Sequence, residues 1–550
     1  MPTLLWSLAA AGSYGLAFHP AAQGWLAWGA ITPWCILAGR ARSWARTFGL
    51  GYLLGAAILT VGCFWLRESH PLNLVVMVGA EATFFGLFLV LLHATAPLLP
   101  FFVGTPLLFV GIEWVRGCFP LDGFPWLFLG YTQAGWQTLV QVADLTGVYG
   151  VSFLLAFSGG LLADSWLAWK KRARSRKVLA TGWLTGGLLL AAALLYGGWR
   201  RESLDAGILG PPLVAVQGNI PQQLKRSGAR PDEIYAIHAR LTREGLAATP
   251  VVEGWPPLVV WSETMFPFAL AANGHAGDVW DEQRRPRRFE EAEEVERVLV
   301  VDGLAKGLLE ERRACLLLGV PTLAGHTPAE RRCYNSAILY RPDGSRAGVY
   351  HKVIRVPGGE YLPGIDYLPF SETIRALVES VAGFVPELAA GDLLEPLVLD
   401  SAQGPVPLGV SICYENIYAS HARCLVRRGA RLLVNLSNEA WFRDSAEMDQ
   451  MHAMSVFRAV ETRRSLLRCT NSGITALYDP AGRSQRLVVN GRDREVGGVL
   501  RGRPHLCSES SFYVASGDWL AMACAGLTVL LVVIRLFLGW AVTGRLERPL

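Results

Sequence analysis

Three side chains set far apart in the chain, Glu263, Lys352 and Cys413, are of the types that acyl transfer needs. Cys413 follows a short apolar run, Leu408–Ile412, whose length and β-branched residues read as a strand. The residues after it, Asn416–Arg428, read as a helix. A thiol at a strand-to-helix turn is open on one side and close to backbone N–H donors on the other, the setting of a nucleophile that attacks carbonyls. A cysteine in an apolar run is, taken by itself, a small buried hydrophobe. Two other stretches change that reading. In Leu258-Val-Val-Trp-Ser-Glu-Thr264 an apolar strand ends just before Glu263, so a carboxylate reaches the rim where α/β proteins place their chemistry. In Tyr350-His-Lys352 a hairpin strand ends in a lysine, and Gly359-Glu360 follows shortly after. A carboxylate can take the thiol proton. An ammonium can stabilise the developing oxyanion and help to depress the thiol pKa. The thiolate then attacks and holds the acyl group.

The elements that must position these groups lie in a polar region, residues 199–518, where strand-like and helix-like segments alternate. Leu213–Gln217, Leu258–Trp261, Cys315–Val320, Asn335–Tyr340, Leu408–Ile412, Leu432–Leu436, Ser465–Cys469 and Ile474–Tyr478 read as strands. Arg341–Ser345 and Asp479–Gly482 read as hairpin turns. Glu290–Arg313, Asn416–Arg428 and Ala446–Arg464 read as helices. Two stretches, Ala272–Phe289 and Gly364–Pro405, exceed ordinary loop length, and the second is rich in apolar residues.

The rest of the chain is of another kind. With 51% hydrophobic residues, 18% charged residues and 19 Trp, the composition is that of a membrane protein with a soluble part. Residues 1–198 hold seven apolar spans, near 2–18, 22–38, 48–66, 72–95, 100–116, 148–168 and 179–198, and an eighth runs from Trp519 to Val542. The first two are short, and the first lacks the basic flank of a signal peptide. Arg40, Arg42 and Arg46, then Lys170–Lys177, then Arg545 and Arg548 all fall on one side if eight helices cross. The positive-inside rule makes that side cytoplasmic and puts 199–518 outside. The expected domains are therefore 1–198, 199–518 and 519–550. Glu81, His93, Glu113 and Arg116 lie in or beside spans and are expected to face a bundle interior. Gly123-Phe-Pro-Trp126 with Gly130-Tyr131 reads as a non-helical aromatic loop at the outer surface. The net charge of +5 includes no basic surface for nucleic acid, and the cysteines show no metal-ligand spacing. A disulfide among Cys315, Cys333, Cys424, Cys469 and Cys507 is left open by the sequence.

These motifs carry a resemblance. The soluble region resembles the nitrilase, or carbon–nitrogen hydrolase, superfamily, and the whole chain resembles its membrane-embedded apolipoprotein N-acyltransferase family. The motifs are Val216-Gln-Gly-Asn-Ile-Pro-Gln222, Trp261-Ser-Glu263, Tyr350-His-Lys352, Gly359-Glu360, Cys413-Tyr-Glu415 and Asn438-Glu-Ala-Trp-Phe442, with Glu113-Trp-Val-Arg-Gly117 in the fifth span. The resemblance implies an eight-helix membrane bundle joined to an αββα sandwich. It implies Glu263 as general base, Lys352 as oxyanion stabiliser, Cys413 as nucleophile and Glu360 as the carboxylate that orients the lysine. Tyr414 and Glu415 match supporting positions, and Trp441 matches an aromatic near the substrate. The implied donor is a phospholipid and the implied acceptor a diacylglyceryl-modified apolipoprotein. Neither cofactor nor metal is implied, and a monomer in the inner membrane is expected. One departure stands out: relatives often carry Trp after the lysine at 225, and this chain has Arg226. Two rivals share the residues. One is a membrane-anchored amidase acting on a small soluble substrate; the other is a transporter or scaffold with an inactive domain.

Overall fold

The structure is a computed structural model that describes residues 2–18, 21–41, 43–170, 175–204, 207–226, 231–271, 279–280, 286–287, 296–324, 332–367, 369–382 and 385–546. Arg42, residues 171–174 of the basic loop, Arg548 and most of the expected polar stretch 272–289 lie outside the described residues. The chain forms two compact units, Met1–Leu204 with Ser511–Leu550, and Asp205–Ser510.

In the first unit, six helices among the described residues are long and apolar enough to cross a membrane: Trp44–Gly62, Pro71–Thr95, Phe101–Cys118, Val148–Trp169, Arg176–Ser203 and the apolar part of Trp519–Leu546. The other two expected spans are shorter. Pro2–Ala17 has 16 residues. The second is broken into a 3-10 turn, Gly24–Trp28, and a short helix, Thr32–Ala38. Gly29 closes the turn with its own backbone N–H, and Pro33 stands in the first turn of the next helix, where its missing N–H costs nothing.

Glu81, Glu113 and Arg116 are buried inside the unit. Arg116 forms an ion pair with Glu81 at 3.5 Å and donates to the carbonyls of Trp126 (2.8 Å) and Phe124 (3.3 Å). Glu113 accepts the Leu129 N–H at 2.7 Å, and the Ser152 hydroxyl accepts the Gly130 N–H at 2.9 Å. In the aromatic loop, residues 123–126 are non-helical as expected, while Gly130 and Tyr131 lie in a 3-10 turn, Leu129–Gln133. Trp126, Leu127, Phe128 and Tyr131 are buried inside the unit. Backbone outside a helix has no internal partners, and in an apolar bundle it must find them on side chains.

The second unit contains two six-strand paths. The first runs Gly498–Gly502, Leu213–Gln217, Leu258–Trp261, Cys315–Ala324, Arg332–Tyr340, Arg346–His351, with the two residues Leu270–Ala271 added beside Cys315–Ala324. The second runs Leu397–Leu399, Val406–Ile412, Leu432–Ser437, Ser465–Thr470, Ala476–Tyr478, Ser484–Arg486. Three central strands of each are parallel. They are largely buried on both faces, as parallel strands covered on both sides are. Leu213, Leu258, Val260 and Leu317 of one sheet share a core with Leu408, Val410, Leu432 and Leu467 of the other. On the outer face of the first sheet, Val214, Val259, Leu316 and Leu318 pack with Leu241, Val300 and Leu304 of the helices Pro231–Ala247 and Glu296–Leu309. The helices Ala419–Arg427 and Ala446–Thr462 lie against the second sheet. The layers are helix, sheet, sheet, helix.

Several expected elements differ. The helix expected over Asn416–Arg428 starts as a 3-10 turn, Cys413–Ile417, and resumes as Ala419–Arg427 after extended Tyr418. The described part of the Glu290–Arg313 helix is π-wound over Glu296–Leu309. The long stretch Gly364–Pro405 contains a helix, Ser371–Ala382, and a strand, Leu397–Leu399. All ten cysteines are free thiols.

Candidate active site

Glu263, Lys352 and Cys413 come from the ends of three strands and meet on one rim of the sandwich. Glu263 follows the strand Leu258–Trp261 and precedes Thr264, whose φ of +50° turns the chain. The neighbouring strand approaches closely here because Gly319 has no side chain. A Cβ at that position would lie 2.3 Å from the Ser262 carbonyl oxygen and 2.9 Å from Glu263 Cα. Glu263 Oε1 accepts a hydrogen bond from Asn335 Nδ2 at 2.7 Å and lies 3.9 Å from Lys352 Nζ.

Lys352 is fully buried. Its backbone N–H donates to the Asn335 carbonyl at 2.8 Å, which carries the hairpin pairing one residue past the strand. Its ammonium donates to Glu360 Oε1 at 2.8 Å, so Glu360 rather than Glu263 is its close partner. Glu360 Oε2 accepts the Val356 N–H at 2.8 Å, which fixes the carboxylate's orientation. Burial by itself would lower the ammonium's pKa. Glu360, Cys413 and Glu263 outweigh it and hold the pKa above the usual lysine value, so Lys352 stays charged.

Cys413 sits at φ +51°, a left-handed conformation that costs a non-glycine residue about 1–3 kcal/mol. Side-chain bonds hold this elbow. Asn435 Nδ2 reaches the Ser411 hydroxyl at 3.1 Å and the Cys413 carbonyl at 3.4 Å. Glu415 Oε2 accepts the Ile412 N–H at 2.7 Å. The same buried carboxylate accepts the Val353 and Ile354 N–H groups at 2.7 and 3.0 Å and the Tyr350 hydroxyl at 2.8 Å. Glu415 thereby fastens the lysine loop to the cysteine elbow. Burial and then Glu415 push the Tyr350 pKa well up, which keeps its hydroxyl a donor.

The expected depression of the thiol pKa does not occur. Burial raises it well above the usual cysteine value, Glu263 raises it further, and Lys352 offsets only part. Burial also takes Cys333 to about 11 and Cys315 to about 12, so a raised pKa does not single out Cys413. Its neighbours do: the Glu263 carboxylate and the Lys352 ammonium both act on it. A thiol so raised is protonated at rest, and to serve as a nucleophile it would have to lose that proton.

Two further expected residues follow strand ends of the second sheet. Tyr414 is half-buried and packs edge-on against Tyr418 with ring centroids 5.4 Å apart. Trp441 stands half-buried on a turn, Glu439–Trp441, beyond the end of the neighbouring strand Leu432–Ser437. Asn335, Tyr350 and Asn435 were absent from the sequence-derived site. A polar residue inside an apolar run, as at Asn435 in Leu432–Leu436, is the signal that could have found one of them. Among the described residues no group of three or more His, Cys, Asp or Glu side chains could hold a metal ion.

Two facing sheets with a carboxylate, an ammonium and a thiol gathered at strand ends define an α/β class, the carbon–nitrogen hydrolases. The family model described as Carbon-nitrogen hydrolase matches residues 257–495. A second, described as Apolipoprotein N-acyltransferase N-terminal domain, matches residues 10–161. The chain is 33% identical to an apolipoprotein N-acyltransferase of Geobacter metallireducens over 521 residues, covering 92% of this chain and 90% of that protein. It is 30% identical to one of Gloeobacter violaceus, over 95% of this chain and 92% of the relative. A third, from Azotobacter vinelandii, is 32% identical over 80% of this chain and 72% of its own length. The chain belongs to the apolipoprotein N-acyltransferase family.

Proposed function

We propose that this enzyme acylates the α-amine of the diacylglyceryl-cysteine that begins an apolipoprotein, and that the acyl chain passes from a glycerophospholipid through a thioester on Cys413. The observation that carries the reading is the convergence of Glu263, Lys352 and Glu360 on a cysteine held in a strained turn. Glu263 takes the Sγ proton as sulfur attacks the ester carbonyl carbon. Lys352, oriented by Glu360, meets the charge that develops on the carbonyl oxygen. The tetrahedral intermediate collapses, the lysophospholipid alkoxide leaves with the proton from Glu263, and the thioester remains. The acceptor's α-amine then attacks the thioester and gives a proton to Glu263. The amide departs, and Cys413 regains its proton. Amide formation from a thioester is downhill, so the cycle needs no nucleotide. Tyr414 and Glu415 support the elbow, and Trp441 lies on the substrate side.

The topology that suits two lipid substrates has eight crossings, with the short helices Pro2–Ala17 and Gly24–Ala38 crossing as well. Both termini are then cytoplasmic, and residues 199–518 form a catalytic domain outside the inner membrane. Arg40, Arg46, Lys170 and Arg545 support that orientation. Within Gly364–Pro405, Tyr367, Phe370, Leu377 and Leu393 are 92%, 79%, 63% and 63% exposed, which fits a surface that meets lipid. The enzyme works as a monomer. A reporter fused near Gly325 tests the orientation, and a cytoplasmic signal there overturns it.

The transfer itself is tested by discharge. Protein charged with labelled phospholipid should pass its label to a diacylglyceryl-cysteine peptide with a free α-amine, giving an amide that hydroxylamine does not cleave. A peptide with a blocked amine should leave the label on the protein. Release of free fatty acid or turnover of small soluble amides, without lipopeptide acylation, would contradict the reading.

A further inference from the structure

Asn335 bonds to both carboxylates flanking Lys352. From the strand Arg332–Tyr340 its Nδ2 lies 2.7 Å from Glu263 Oε1 and 3.4 Å from Glu360 Oε1. Its carbonyl oxygen accepts the Lys352 N–H. One residue therefore fixes the lysine main chain and touches both anions that compete for the lysine's charge. That competition is a problem for catalysis. Lys352 Nζ is 2.8 Å from Glu360 and 3.9 Å from Glu263. A donor other than the ammonium keeps Glu263 from swinging onto Lys352, where it would be lost as a base, and from holding a proton beside its like-charged neighbour; Asn335 is such a donor.

The amide meets this need in a way that other side chains would not. It offers two N–H donors and carries no charge. An aspartate has the same shape but would add a third carboxylate. Turning the amide over would set its oxygen against two anions, so the observed orientation is the one that the surroundings impose. It also carries a cost. Asn335 Oδ1 is buried without a hydrogen-bond partner among the described residues, and Asn335 is only 6% exposed. A residue there only to fill the strand would not need that unpaired oxygen.

We propose that Asn335 is a positioning residue that reserves Glu263 for proton abstraction by giving it a neutral donor, leaving Lys352 to Glu360 and the oxyanion. The inference rests on Glu263 being the base, as set out above. It extends that account to a residue that acts through Glu263.

The test uses full-length protein in detergent. One readout is charging of Cys413 by a glycerophospholipid with a labelled acyl chain. The other is alkylation of Cys413 by iodoacetamide, which needs no lipid. Both are followed from pH 5 to pH 9. Asn335→Ala removes the donor that stabilises the Glu263 carboxylate, so the acid limb of both profiles should move about one unit to higher pH. At pH 6 the rate should be about tenfold below wild type, with the deficit shrinking at high pH. Asn335→Asp should lose about 100-fold near pH 7 and not recover, because no pH in the range removes the repulsion without also protonating the base. If Asn335→Ala does not fold, Asn335→Ser serves in its place, with a smaller shift in the same direction. A uniform loss of rate with unmoved limbs in both assays overturns the inference and marks Asn335 as structural. Failure of the wild type to charge at all overturns the acyl-transfer reading instead, and the alkylation profile still decides the role of Asn335.

Discussion

Two buried ion pairs, one in each unit, look alike on paper and differ in what surrounds them. In the membrane unit Arg116 faces Glu81, and its remaining donors reach the carbonyls of Phe124 and Trp126. The pair is absorbed in holding non-helical backbone inside an apolar bundle. In the catalytic unit Lys352 faces Glu360 more closely, at 2.8 Å, and a second carboxylate, Glu263, stands 3.9 Å away, beyond hydrogen-bond reach of the ammonium. Beside them lies a cysteine held at positive φ. A buried charge pair is therefore ambiguous as a sign of function. It becomes one where a further titratable group and a strained nucleophile share the surroundings.

Removing the nucleophile should have the largest effect. Cys413→Ala takes away one sulfur and little volume, so labelled thioester and lipopeptide product should both vanish, while the melting temperature stays close to wild type. The two ion pairs should then part company. Lys352→Met should slow thioester formation by about 100-fold or more, read as single-turnover charging, because the developing oxyanion loses its positive partner. Arg116→Met should lower unfolding stability by about 3–5 kcal/mol, since Glu81 is left buried and unpaired. Charging per folded molecule should be unchanged. A folded Arg116→Met enzyme that cannot charge would break the contrast.

Glu415→Gln should have a smaller effect, a fall of about 10-fold to 100-fold in charging. It keeps the shape but turns one acceptor into a donor facing the Ile412, Val353 and Ile354 N–H groups and the Tyr350 hydroxyl. The smallest effect on activity comes from a group that acts on stability in acid. Burial, with Arg486 and Arg468, holds the His452 imidazole down to about 3. In the unfolded chain it titrates near 6.5, so between those values the unfolded state binds the extra proton. The contribution is present above pH 6.5 and is lost as pH falls toward 3, with a slope of at most about 1.4 kcal/mol per unit. His452→Gln should flatten that part of the stability profile measured by chemical denaturation.

Much of the site's layout can be read in the sequence because strand ends advertise themselves. Leu258–Trp261 before Glu263 and Val406–Ile412 before Cys413 are apolar runs cut short by polar residues, and the structure keeps both strands. Elements whose apolar signal is thin were missed. The helix Pro231–Ala247 buries Ile234, Leu241 and Leu246 amid charged residues, and the edge strand Gly498–Gly502 begins and ends in glycine. Ser371–Ala382 was hidden in a stretch read only as long and apolar. Other features depend on partners distant in sequence. The burial of Trp126 and Phe128 follows from Glu113 and Arg116 choosing backbone over solvent. The raised thiol follows from packing that a list of residues does not contain. Asn335 and Asn435 read as strand residues until their neighbours across the sheets are known.

The central claim is that Cys413 carries the acyl chain between donor and acceptor. Intact-protein and peptide mass spectrometry after incubation with phospholipid alone tests it most directly. The account predicts a mass increase of one fatty acyl group, located on the peptide containing Cys413, removed by hydroxylamine and absent from Cys413→Ala. An acyl group that appears only when acceptor peptide is present, or that persists in Cys413→Ala, would contradict it.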